Sequence, residues 1–364
     1  MNYPYLPSFI ILSVAASLSA NTWDGDGVDS FWNTGGNWVE GGRPGFAGTA
    51  TFTGDPTLIT NPDLNGNSQT GIGLDFQTSG WTIFDGVGGA NFRTDGGQVI
   101  NSLGTGENRL MSNAISSGGN AIFTVDPNSV LRFSGGVNHA FSTATGGGLI
   151  VVDTVANTGG SGTHNISGDI NILINTEYTF FQFNATSGVI GGTGTFRGFG
   201  FQTSNFGGTA VLSPGGNGVY GSEIGTMTWQ AQSATDRHNL SFNSGSSLDI
   251  QIGATLGEND LLQFESYGNG AISIGAGTTL NLYGEAIEDG SYTIVSNVDP
   301  GQANISGAFE TVNFNGQPIN PANFTVNYNG DNITVDITGV VPEPSHYALL
   351  AGTLGLVAML WRRR

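Results

Sequence analysis

The chain has 364 residues, 60 of them glycine, no cysteine, only nine basic residues and a formal net charge of −19. Without cysteine there is no disulfide scaffold and no thiolate metal site, and without a basic patch nothing can neutralise phosphates, which excludes nucleic acid as a partner. Apolar residues make up 38% of the sequence and recur in short patches, unlike a glycine-rich linker, and about 320 residues between the termini can bury a sizeable core unaided.

At the N-terminus, Phe9 to Leu18 (FIILSVAASL) is an apolar core followed by small residues through Ala20. This layout predicts a signal peptide over 1–20, cleaved after Ser19 or Ala20, although Met1 to Pro7 carries no Lys or Arg. A mature chain is therefore expected to start near Asn21.

Residues 21–60 form a tryptophan-rich segment with Thr22-Trp23-Asp24-Gly25, Phe31-Trp32 and Gly36-Asn37-Trp38. Large indoles with polar edges can close the open end of a stack of strands, so Trp23, Trp32 and Trp38 are predicted to form an N-terminal cap; the alternative is that they stack on sugar. The segment resembles the opening of exported proteins of the autotransporter-associated β-strand type. Asp24, Asp26 and Asp29 lie close together in a glycine-rich loop, which raises the question of Ca²⁺, but Gly35 stands where an EF-hand needs its bidentate Glu. We read a solvated turn, and predict no metal and no cofactor.

Residues 61–338 read as strand and turn almost throughout. LDIQI (248–252), FTVNY (324–328) and ITVDI (333–337) alternate apolar and polar residues, and turns of Gly, Asn, Asp and Ser bound them. SGSSLDIQIG (244–253) and GAGTTLNLYG (275–284) share a turn, two hydroxyl residues and an alternating strand, with DPNSVLRFSG (126–135) a looser copy. Such repeats predict an all-β fold, a parallel β-helix (β-solenoid) in which each coil buries its inward side chains on the next. Further strands are expected at 148–153, 170–174 and 178–183, stacked in parallel, and the frequent Asn is expected in turns and in amide ladders between coils. A two-domain β-sandwich is the competing architecture.

The region from GGTGTFRG (191–198) through LSPGG (212–216), IGTMT (224–228), NDLLQF (259–264), GSYTIV (290–295) and ISGAF (305–309) to the strand pair at 323–338 resembles the C-terminal coils of autotransporter passenger β-helices. No membrane β-barrel follows in this sequence, so the resemblance does not extend to the export route.

Catalytic residues do not emerge. Arg43, Arg93, Arg109, Arg132, Arg197 and Arg237 are scattered singly, there is no lysine, and His139, His164, His238 and His346 share no ligand spacing. No catalytic residue is assigned. A carbohydrate-binding or carbohydrate-active β-helix is the alternative; as a glycan track it would align Trp229, Tyr267, Tyr283 and Tyr292 across coils.

The C-terminus carries an address. Pro342-Glu343-Pro344 precedes an apolar run from Tyr347 to Trp361, which ends on Arg362, Arg363 and Arg364. A run of about 15 residues spans a bilayer only marginally, and the arginines anchor it on the cytoplasmic side. We predict a membrane helix over about 346–361 within a tail at 339–364. The order of hinge, apolar segment and basic terminus resembles the PEP-CTERM sorting signal. That resemblance implies a Gram-negative bacterial protein exported through the Sec machinery, held in the inner membrane, then cut near the motif by an exosortase-type processing protease. The protein would then reach the cell surface or an extracellular matrix rich in exopolysaccharide. A simple anchor without processing is the alternative. The expected function is that of a non-enzymatic, adhesin-like structural protein.

Overall fold

A strand that is apolar on one side needs cover for that side, and this chain provides it by winding strand upon strand. The structure is a computed structural model that describes residues 20–339, except 95–97, 112, 116–120, 136, 139–140, 154–162, 168–169, 181, 199, 217–223, 232, 234–235, 266–269, 286 and 299–303. Nearly all of the signal peptide, the sorting motif and the predicted membrane helix lie outside the described residues. Among the described residues, no helix is long and apolar enough to cross a membrane.

The described strands form a twelve-stranded, an eleven-stranded, a seven-stranded and a four-stranded sheet. Between Thr49–Phe52 and Thr311–Phe314, sequence-neighbouring strands occupy different sheets, and a strand pairs with those one circuit earlier and later. Ser247–Gln251, for instance, pairs in parallel with Val211–Pro214 before it and Thr279–Tyr283 after it. The twelve-stranded sheet is parallel throughout, from Ala20–Trp23 to Asn304–Gly307. This is an all-β fold of long parallel sheets, consistent with a three-faced β-solenoid. A Greek-key sandwich would require antiparallel neighbours instead.

In-register stacking brings like on like in the interior. Ile150, Ile172, Ile190, Leu212, Leu248 and Leu280 succeed one another along the eleven-stranded sheet. On the seven-stranded sheet, Tyr178, Phe196, Trp229 and Phe264 do the same, with the Phe196 and Trp229 rings stacked at 4.9 Å. One polar cluster of the interior is internally paired. Asn108 accepts from Trp81 N at 3.1 Å and donates to Ser102 Oγ at 3.1 Å, and Ser102 Oγ lies 2.6 Å from Ser129 Oγ.

Sequence and structure differ at three places. The run YTFFQF, read as one strand, supplies two: Glu177–Phe180 in the seven-stranded sheet and Gln182–Ala185 in the twelve-stranded sheet. A corner falls within the run, and period-2 alternation does not mark it. The tryptophan-rich segment is not appended to the coils, because Ala20–Trp23 and Thr49–Phe52 are the first two strands of the twelve-stranded sheet. The last strands are not parallel: Asn332–Ile337 runs antiparallel to both Gly290–Asn297 and Phe324–Tyr328.

Corners demand glycine where one coil turns directly over the carbonyl of the coil beneath. Gly146 (φ +106°) and Gly192 (φ +113°) would each place a Cβ 2.1 Å from a backbone oxygen, of Val125 and Ile174 respectively. A Gly192→Ala substitution is expected to lower stability by at least about 2 kcal/mol through strain and displacement of the stack. Chemical denaturation read by tryptophan fluorescence checks this; an unchanged midpoint would refute the corner constraint.

Candidate functional site

The first coil is closed by aromatic and backbone contacts together. Trp23, Trp32 and Trp38 are 1%, 0% and 2% exposed. The Trp38 ring meets Trp23 edge-on at 5.1 Å and Trp32 at 4.9 Å. Trp38 Nε1 donates to the Trp32 carbonyl at 2.8 Å, and Trp23 Nε1 to the Thr60 carbonyl at 2.7 Å. Residues 38–42 cover the outer edge of Ala20–Trp23: Val39 N donates to Thr22 O, Thr22 N to Glu40 Oε2 and Asn21 Nδ2 to Gly42 O. An edge covered in this way cannot template another strand. The burial leaves no indole face open to a sugar.

The acidic loop between them is spent on turns. Asp24 Oδ1 accepts from Asp26 N, and Asp29 Oδ1 accepts from Phe31 N and from Asn37 Nδ2. The Phe31 amide bond, with help from Thr34 and Asn37, holds the Asp29 carboxyl below its ordinary range. Among the described residues no three acidic or histidine side chains converge as a metal set.

The three described aromatic residues of the envisaged glycan track do not line up. Trp229 and Tyr292 point inward and are 0% and 1% exposed, Tyr283 faces outward on a different sheet, and Tyr267 lies outside the described residues. Tyr283 instead borders a cleft of about 680 Å³ with Gln251, Gly253, Glu285 and Asn315. Its hydroxyl donates to Asp249 Oδ2 at 3.1 Å, while Ser247 Oγ and Asn281 Nδ2 donate to Oδ1. Burial raises the Asp249 carboxyl and pushes Asp260 up to about 7, although Asp260 accepts from the backbone N–H groups of Gly225 and Gln251. Asp260 ties the turn at 252–259 to the preceding coil. The arginine-bearing faces are also internally paired: Glu107 accepts from Arg109 and Arg132, Arg132 also pairs with Asp153, and Arg197 with Glu177.

Sequence reasoning found no serine–histidine pair, yet one exists. Ser204 Oγ lies 2.8 Å from His238 Nε2, with both residues at most 1% exposed. The imidazole is packed against Gly198, Phe180 and Trp229, and its Nδ1 has no hydrogen-bond partner. A nucleophile needs an oriented base and an open approach, and this pair has neither. It is core. Only the fold brings His238 to Ser204, which is why spacing could not reveal it.

No model of a known protein family matches this chain, and no curated protein matches it in sequence. The resemblances above therefore rest on the residues quoted for them.

Two predictions follow from the packing. Trp38→Ala should destabilise the protein by about 3–5 kcal/mol, as for other large buried aromatics, measured by thermal unfolding; undiminished stability would refute the cap. Burial lowers the His238 pKa to about 4 from 6.5, so the fold binds a proton there less readily than the unfolded chain does. Stability from this group is present above pH 6.5 and is lost on acidification through the folded-state value, by up to about 3 kcal/mol. The stability difference between the native protein and a His238→Phe variant should shrink or reverse from pH 7 to pH 4. Parallel curves would refute the assignment.

Proposed function

We propose that the protein is exported, held at the inner membrane by its C-terminal tail and then released to the cell surface or matrix as a non-enzymatic, adhesin-like structural protein. The observation that carries this reading is where the last described strand lies. It ends at Ile337, and the Pro342-Glu343-Pro344 motif begins five residues further on. Cleavage near the motif would leave the described coils essentially whole. The apolar run and Arg362, Arg363 and Arg364 then act only during sorting, and the partners are the Sec machinery, an exosortase-type protease, the inner membrane before cleavage and exopolysaccharide after it.

Shape supports a structural role: the interior is continuous from Trp23 to Ile337, as a rigid rod requires. Intact mass and location in the native host, with and without the processing protease, test the proposal. A species running from near Asn21 to near Pro342, outside the inner membrane only when the protease is present, is expected. An uncut chain in the inner membrane under both conditions would overturn sorting.

A further inference from the structure

Charge is distributed unevenly over the faces of the coil. The eleven-stranded sheet carries Glu107, Arg109, Arg132 and Asp249, and the seven-stranded sheet carries Glu177, Arg197 and Glu265. In the twelve-stranded sheet, the nine strands from Val99–Ser102 to Asn304–Gly307 contain no acidic residue and only one basic residue, Arg237, among 28 Asp and Glu in the chain. Their two histidines, His164 and His238, are buried inward.

The outward side of this sheet carries a row in strict register: Asn165, Asn184, Asn205, Ser241, Ser273 and Ser306. Five of its six members are bonded within the row, and Ser306 Oγ donates to the Ile272 carbonyl instead. Asn205 Nδ2 donates to Asn184 Oδ1 at 3.0 Å, Asn184 Nδ2 to Asn165 Oδ1 at 3.4 Å, and Ser273 Oγ to Ser241 Oγ at 3.1 Å. Asn165, Ser273 and Ser306 are exposed and the others half-buried. Alongside, Phe201 is 69% exposed, with the Arg237 guanidinium 5.8 Å from its ring centre.

We propose that this row is the contact surface for a neutral polysaccharide chain, a reading that rests on the matrix-associated function above and gives it a location. An amide or hydroxyl recurs at every coil, about 4.8 Å apart, and each is both donor and acceptor, as a sugar hydroxyl is. The ladder fixes these side chains beforehand, so little side-chain entropy remains to be lost on binding. Charge selects the partner: a protein of net charge −19 repels polyanions, while nine successive strands without a carboxylate shed their water for a neutral chain at small cost. Phe201 offers an apolar ring at the margin for the face of a pyranose.

The test uses protein purified from its host, with insoluble β-1,4-glucan and amylose as probes and polygalacturonate as the anionic comparison. Retention is expected on a neutral polymer and not on polygalacturonate. A Ser241→Glu/Ser273→Glu double variant, checked for native unfolding behaviour, should bind at least about tenfold more weakly, since each buried unpaired charge opposes the contact. Thr311→Glu, an exposed position on the eleven-stranded sheet, should bind as the native protein does. Absence of retention on both neutral polymers, or equal retention of the double variant, overturns the proposal. So does a native dimer that the double variant abolishes, which would assign the row to a second copy. Fractionation of the same variants in the host separates the two readings. Processed double variant that remains in the matrix removes the row but leaves the function standing, whereas native protein absent from the matrix removes the function itself.

Discussion

Each coil buries its inward side on its own opposite faces and on the coils above and below, and the rest of the molecule depends on that constraint. With no cysteine, no cross-link can hold a misaligned coil in place, so register has to be specified by the side chains. Like stacked on like does this: a slip of one residue would turn the isoleucine and leucine row of the eleven-stranded sheet out to water. The corner glycines serve the same requirement, since they let successive coils approach without a Cβ between them. Both ends of the stack need special treatment for the same reason, and the paired indoles and the 38–42 edge cover supply it at the start.

Polar groups are sorted by the same geometry. Inward ones are few, and the network of Asn108, Ser102 and Ser129 is satisfied internally, as a dry core requires. His238 and Asp260 are two costly exceptions. Their burial acts in opposite senses on acidification, because the folded state disfavours the charged imidazole and equally disfavours the charged carboxylate. Outward polar groups instead form rows that cross coils, ionic on two faces and, from Val99–Ser102 onward, uncharged but for Arg237 on the third.

Much of this was legible in the residues. The three related stretches at 126–135, 244–253 and 275–284 prove to be strands of one sheet, Ser129–Phe133, Ser247–Gln251 and Thr279–Tyr283, and the last two are direct neighbours. The expected amide ladders exist at Asn165, Asn184 and Asn205. Alternation reveals which way a side chain faces but not which sheet a strand joins, so the corner inside YTFFQF and the antiparallel closure at 324–337 were hidden. The same limit concealed the uncharged face. Its six residues are spread over more than 140 positions, from Asn165 to Ser306, and meet only after the coil is wound.

The antiparallel closing strands have one more consequence. Parallel stacking has no intrinsic end, since each new coil offers the next the edge on which it was itself laid down. Asn332–Ile337 reverses direction and Phe324–Tyr328 folds back on it, so no further coil can follow in the same sense. The rod therefore has a set height, about 53 Å for eleven strand spacings in the longest sheet. It is a ruler with two unlike ends, able to hold whatever its sides grip at a fixed distance from whatever its termini are joined to.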